Sequence, residues 1–157
     1  MEAALGRTMI RLRDVLLALW ELPQNVLGGA VLVLARATGK VRGTERAKDR
    51  LFVEVSGFAV SLGWFVFWSG ETTTRWFHID SAVRDHEYGH TFQSRWLGPL
   101  YLPVVGVPSV MRNLYAVAYR EVAGVRWRGY FDGFPERWAD QLGGVDRDRA
   151  KRAWPSG

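Results

Sequence analysis

Apolar residues fill most of positions 15–34, and no basic residue falls between Arg13 and Arg36. The run approaches the ~20 residues needed to cross a bilayer. At its centre stand Glu21, Pro23, Gln24 and Asn25. A charge at mid-membrane costs about 2.5 kcal/mol or more, and proline removes a helical hydrogen bond. The pattern therefore predicts two short apolar helices, over 15–22 and 26–35, joined by a kink. Two placements stay open, a bent helix packed on the core or a membrane-associated hairpin. Arg7, Arg11 and Arg13 before the run, and Arg36, Lys40 and Arg42 after it, give no orientation bias. The run is long, interrupted and without a small-residue cleavage site, unlike a secretory signal. The expected location is membrane-associated or cytoplasmic, with any membrane contact made through residues 10–36.

Beyond a polar linker at 38–50, segments 51–56, 58–68 and 73–79 are rich in Val, Phe, Trp and Thr and bounded by glycines. They read as three strands of a small antiparallel sheet. A helix follows over 81–97, with Asp80 or Ser81 able to cap its start and Gly98-Pro99 closing it. On a helical wheel, Ala82, Val83, His86, His90, Gln93 and Leu97 share one side. Tyr88, Phe92 and Trp96 form a stripe nearly opposite, and Arg84, Thr91 and Arg95 make a narrow polar wedge. Such a helix is expected between layers. Pro103, Pro108 and Arg112 interrupt the apolar stretch 99–118, which favours a buried, kinked helical segment over a span. Pro135 and Gly143-Gly144 bracket a short helix over 136–142. The expected fold is α+β, a small sheet packed on the central helix. Its parts are an apolar N-terminal segment 1–37, a domain 38–145 and a charged, frayed tail 146–157.

Composition narrows the chemistry. With 157 residues, 48% hydrophobic and 24% charged, the chain has one domain's length and is not a disordered type. Eight Trp and eight Phe imply a dense core or an apolar partner surface. The absence of cysteine excludes disulfides and leaves only His and carboxylates as metal ligands. Net charge is +5, with basic clusters at 7–13, 36–50 and 147–152. These suit solvated surface or anionic headgroups. Without a phosphate-binding loop or zinc-finger spacing, nucleic acid is not an expected partner.

His86 and His90 are two of only three histidines. Four apart on a helix, their rings project from one face and can reach a single zinc ion. Glu87, offset by 100°, lies beside such an ion and can act as general base towards an activated water. Glu136 is the candidate third ligand. Asp140, on the same face of its helix, can accept the spare N–H of a ligating histidine. His78 competes as third ligand from a strand.

HExxH at 86–90 followed by ExxxD at 136–140 resembles the gluzincin zinc metallopeptidases. That resemblance implies a minimal zincin-like fold, an edge strand aligning a peptide or protein substrate, Glu136 as ligand and Asp140 as its helper. A longer resemblance links the chain to small bacterial HEYGH proteins often described as membrane-associated. It rests on residues 20–25, 61–63, 86–94, 97–102 and 138–140. The chain is much shorter than typical gluzincins, and the residue that steadies an oxyanion stays open. Tyr101, Tyr115 and Tyr130 are candidates, with Tyr88 disfavoured by its place opposite the metal face. Arg95 and Arg112 are further candidates to polarise a carbonyl, with a surface or headgroup-binding cation as the favoured reading of each. The expectation is a zinc-dependent hydrolase of the peptidase kind. The alternative is a non-catalytic membrane-associated protein with a structural zinc.

Overall fold

The computed structural model describes residues 12–70, 72–73 and 77–152. Helices α1 (Leu12–Trp20) and α2 (Leu22–Ala37) are bent by 85° where they meet at Glu21. Pro23 sits in the first turn of α2, where its missing N–H has no helical partner to lose. Neither helix alone is long and apolar enough to cross a membrane. The kink matches the sequence pattern, but the polar residues that cause it turn inward. Glu21 and Gln24 are 1% and 0% exposed, whereas Leu12, Leu16, Leu19, Val26, Val33 and Leu34 face outward. Arg50 donates to both carboxylate oxygens of Glu21 (2.7 and 3.1 Å), and the Ser94 hydroxyl donates to Glu21 Oε1 at 2.5 Å. Gln24 Nε2 donates to Ser94 Oγ and to the Gly98 carbonyl.

Residues 38–50, expected as a linker, contain strand β1 (Val41–Ala47) and the start of β2 (Arg50–Val55). Lys48 and Asp49 make the tight turn between them at positive φ. Residues 58–68, expected as one strand, instead give β3 (Val60–Leu62) and β4 (Phe65–Trp68), a hairpin around Gly63, whose φ of 60° suits glycine. The sheet order is β1-β2-β4-β3, and it is mixed rather than antiparallel: β2 and β4 run parallel, Leu51 opposite Phe65 and Glu54 opposite Trp68. Burial explains the order. Val66 and Phe67 of β4 are fully buried, so the hairpin turns β4 to the centre and leaves the shorter β3 at the edge. Composition reveals strands but not which neighbour each will choose. The stretch 73–79 is not one described strand either. Strands β5 (Thr72–Thr73) and β6 (His78–Ile79) form their own two-stranded ladder, and residues 74–76 lie outside the described residues.

Ala35, Val53, Val55, Leu62 and Phe67 form the core between α2 and the sheet. Helix α3 (Val83–Leu97) crosses β3 and β4. Asp80 Oδ1 accepts from the Ala82 N–H (3.0 Å), but the N-cap position is Ala82, and neither Asp80 nor Ser81 caps the helix through its side chain. Two wheel positions come out differently. Thr91 is fully buried because the Glu21–Arg50 pair covers it. Trp96 is 58% exposed, its ring against Trp138.

Residues 98–106 form a 3-10 turn and a π turn, and α4 (Val107–Ala123) follows. The segment is kinked as expected but not buried. Tyr101, Val105 and Ala116 turn inward, while Val107, Val110, Met111 and Leu114 are exposed. Helix α5 (Glu136–Gly143) packs on α3 almost backbone to backbone, for a Cβ on Gly89 would collide with the Ala139 carbonyl. The tail is not all frayed: α6 (Arg147–Arg152) begins with a buried Arg147, and residues 153–157 lie outside the described residues. The architecture is α+β, a small mixed sheet with six helices among the described residues.

Candidate metal centre

The closeness of α3 and α5 brings the two motifs together. His86 Nε2 lies 3.0 Å and His90 Nε2 3.3 Å from the same oxygen, Glu136 Oε2. His86, His90 and Glu136 are all buried, and their ligand atoms lie within 4.8 Å of one another. Bonds of about 2.05 Å to a tetrahedral ion put neighbouring ligand atoms about 3.3 Å apart, so these separations fit a metal site.

The partners of the other ring nitrogens decide the proton positions. His86 Nδ1 lies 2.7 Å from Asp140 Oδ1, a carboxylate that only accepts. His90 Nδ1 lies 2.6 Å from Gln93 Oε1, while Gln93 Nε2 donates to the Pro135 carbonyl. Both Nδ1 atoms therefore carry the proton. In neutral rings this leaves two Nε2 lone pairs aimed at a carboxylate oxygen. Three acceptors facing one another need a cation between them, either protons on the rings or a metal ion.

The electrostatics agree. Glu87, Glu136, Asp140 and Asp80 are buried here, with Arg147 as their buried cation. Burial alone would strip the proton from His86, but Asp140 and then Glu136 outweigh it and raise its pKa to about 9. Burial opposes ionisation of Glu136 too, yet the two histidines hold it well below the usual carboxylate range. At Asp140, His86 and Arg147 likewise overcome burial and lower the value. At Glu87 burial prevails over His90 and His86, and the pKa rises. These residues could hold a metal ion. Compared in turn with protein-family models, curated proteins and solved structures, the chain matches none. The site must argue for itself.

A cavity of about 280 Å³, walled largely by aromatic and aliphatic side chains, lies against His86 and Glu87. His78 lines it from β6, half-buried, but does not join the ligand group among the described residues. Of the tyrosines, Tyr130 reaches the centre, its hydroxyl donating to Glu136 Oε1 at 3.4 Å. Tyr101 instead donates to the Ser61 carbonyl, Tyr115 packs on Trp127, and Tyr88 meets Phe52 and Lys48. Arg95 pairs with Asp49. Arg112 donates to the carbonyls of Gly129 and Tyr130, steadying the segment that carries Tyr130.

Sequence reasoning missed Gln93 and Arg147. The i, i+3 spacing of His90 and Gln93 was a usable signal, since such pairs touch on a helix. Arg147 had none. It forks onto Asp140 (2.5 and 2.9 Å), reaches Asp80 (3.0 Å), and lies over the Phe131 ring, which itself packs on His86.

Proposed function

We propose that the protein is a zinc-dependent hydrolase, acting on peptide or similar acyl bonds. The convergence of two Nδ1-protonated histidines on Glu136 Oε2 carries this reading. An all-His/carboxylate set of three suits a catalytic zinc, which keeps a further position open. Bound zinc supplies Lewis-acid activation of water and of a carbonyl.

The chain's residues do the rest. His86, His90 and Glu136 hold the ion, Asp140 and Gln93 fix the ring orientations, and α3 packed between sheet and α5 gives a zincin-like arrangement. Glu87, raised by burial and bordering the cavity, takes the proton of the attacking water and returns it to the leaving nitrogen. Tyr130, kept protonated by burial and by Glu136, is the best-placed hydroxyl to donate to a developing oxyanion.

Metal analysis of purified protein should find about one zinc per chain, by the three-ligand count. Glu87→Gln should keep the zinc and lose hydrolysis of an unfolded protein substrate by on the order of 10²–10⁴-fold. Wild-type turnover by a zinc-loaded Glu87→Gln protein would sink the mechanism.

One observation favours the alternative, a non-catalytic protein with a structural zinc. His90 and Glu136 are 4% and 1% exposed, as in a closed site. A fourth protein ligand would then be required, and Asp140 is engaged by Arg147 and His86 instead. Cobalt substitution separates the two, because an exchangeable water ligand shifts the visible spectrum with pH.

A further inference from the structure

Helices α1 and α2 bury polar side chains and turn much of their apolar surface outward, while Val31, Leu32 and Ala35 of α2 pack on the core. On a water-facing helix the apolar stripe faces the core and polar residues face solvent. Here Glu21 and Gln24 are buried, and Leu12, Leu16, Leu19, Val26, Val33 and Leu34 are 57–74% exposed. The outer face of α4 repeats the pattern, with Val107, Val110, Met111 and Leu114 57–60% exposed at helical spacing. The two elements meet at their inner sides: Trp20 packs on Gly98 at the start of the turn leading to α4, and Leu32 and Leu102 pack on the same core cluster.

Charge selects the partner. The chain has 16 acidic residues, and none falls within 22–44 or 88–120, the stretches that carry most of these apolar positions. The same stretches hold Arg36, Lys40, Arg42 and Arg120, besides Arg95 and Arg112, which are engaged by Asp49 and by the carbonyls of Gly129 and Tyr130. Asp14 on α1 and Glu121 near the end of α4 are the exposed acidic residues of these helices. An apolar face flanked mainly by basic residues fits an interface rich in anionic lipid. It does not fit a second copy of itself, since like charges would meet.

We propose that α1–α2 and the outer face of α4 together dock the protein onto an anionic bilayer surface, lying in the interface rather than spanning it. The inner face of α4 supplies Asn113 and Ala116 to the wall of the metal-site cavity. Docking therefore seats that cavity at the lipid boundary. The proposal does not depend on what the metal does.

The test is cosedimentation of the full chain with phosphatidylcholine vesicles, with and without phosphatidylglycerol. Binding to the anionic vesicles, weakened by salt and by omission of the anionic lipid, is expected. Two variant sets probe the faces separately: Val33→Gln with Leu34→Gln, and Val110→Gln, Met111→Gln with Leu114→Gln. Each should lower partitioning by about tenfold or more, in line with the loss of several buried apolar groups, while circular dichroism and metal content stay unchanged. Because the chain has no cysteine, Leu34→Cys or Leu114→Cys bearing an environment-sensitive dye gives a second readout. Its emission should shift blue on vesicle addition, and that of Glu45→Cys should not. No binding to anionic vesicles overturns the proposal. So does binding indifferent to both variant sets, or self-association in solution that the same variants abolish.

Discussion

Two clusters of buried charge flank α3, and they differ in balance. On one flank Arg50 and Glu21 pair one to one, with Ser94 donating to the same carboxylate. On the other, Glu87, Glu136, Asp140 and Asp80 gather around two histidines with Arg147 as the buried cation. The first cluster balances its charge on protein atoms alone. The second does not, and His86 takes up the deficit by holding a proton to about pH 9 in the metal-free protein. Burial makes both expensive to leave unpaired. A balanced cluster is therefore architecture, whereas an unbalanced one is a place for a cation.

Breaking the balanced cluster should cost most. Arg50→Met leaves Glu21 buried and unpaired, so denaturant unfolding should show a loss of about 3–5 kcal/mol with metal content unchanged. Adding Glu21→Met should restore most of that loss, since both charges then vanish. Equal damage in the single and double variants would mean the pair is not the source. Next in size is metal removal. At a metal concentration a thousandfold above Kd, binding stabilises the folded state by about 4 kcal/mol, all of it lost to a chelator. The Glu136→Ala protein should be insensitive to the same chelator.

The pH dependence sharpens the contrast. Without metal, the folded pKa of His86 lies above its ordinary 6.5, at about 9. Its contribution is fully present below about pH 6.5 and disappears as pH rises through 9. At 1.36 kcal/mol per unit this is about 3 kcal/mol. Glu136 and Asp140 are lowered, so their contributions are present above the ordinary carboxylate range and are lost on acidification. With metal the histidine term reverses, because a ligand nitrogen must be unprotonated. Apparent metal affinity should climb with pH and level off near 9. A flat titration between pH 6 and 9 would contradict the assignment of His86.

Much of this was legible in the chain, and the limits have physical reasons. The HExxH helix and the α5 helix followed from spacing and punctuation, which are local. Their partnership was only a candidate, from a zinc site's need for a third ligand and the HExxH and ExxxD pattern, with His78 competing. The strands over 51–68 were legible in composition, although 58–68 read as one strand and is the β3–β4 hairpin. Their mixed order was not, because pairing depends on which strand the core buries most, here β4. The N-terminal run showed its kink but not its orientation. Glu21 read as the break in an apolar helix, and its partner Arg50 lies 29 residues away in what looked like a linker. Non-local pairs of this kind leave no periodic trace.

The smallest predicted effect tests the least legible residue. Arg147 forks onto Asp140, which fixes the His86 ring, and its third bond reaches Asp80 at the start of the same helix. It thus ties both ends of the His86 environment to α6. Lysine keeps the charge but not the fork. Arg147→Lys and Arg147→Ala should weaken metal binding by about 10–100-fold, the usual consequence of losing a partner behind a ligand. Competition with a calibrated chelator measures it. Arg149→Ala, two residues on and exposed, is the control for a general effect of the tail. If Arg147→Lys binds metal as tightly as wild type, charge alone holds Asp140 in place. If Arg147→Ala does too, the ligand set is rigid without α6, and the close packing of Gly89 on Ala139 is enough to position it.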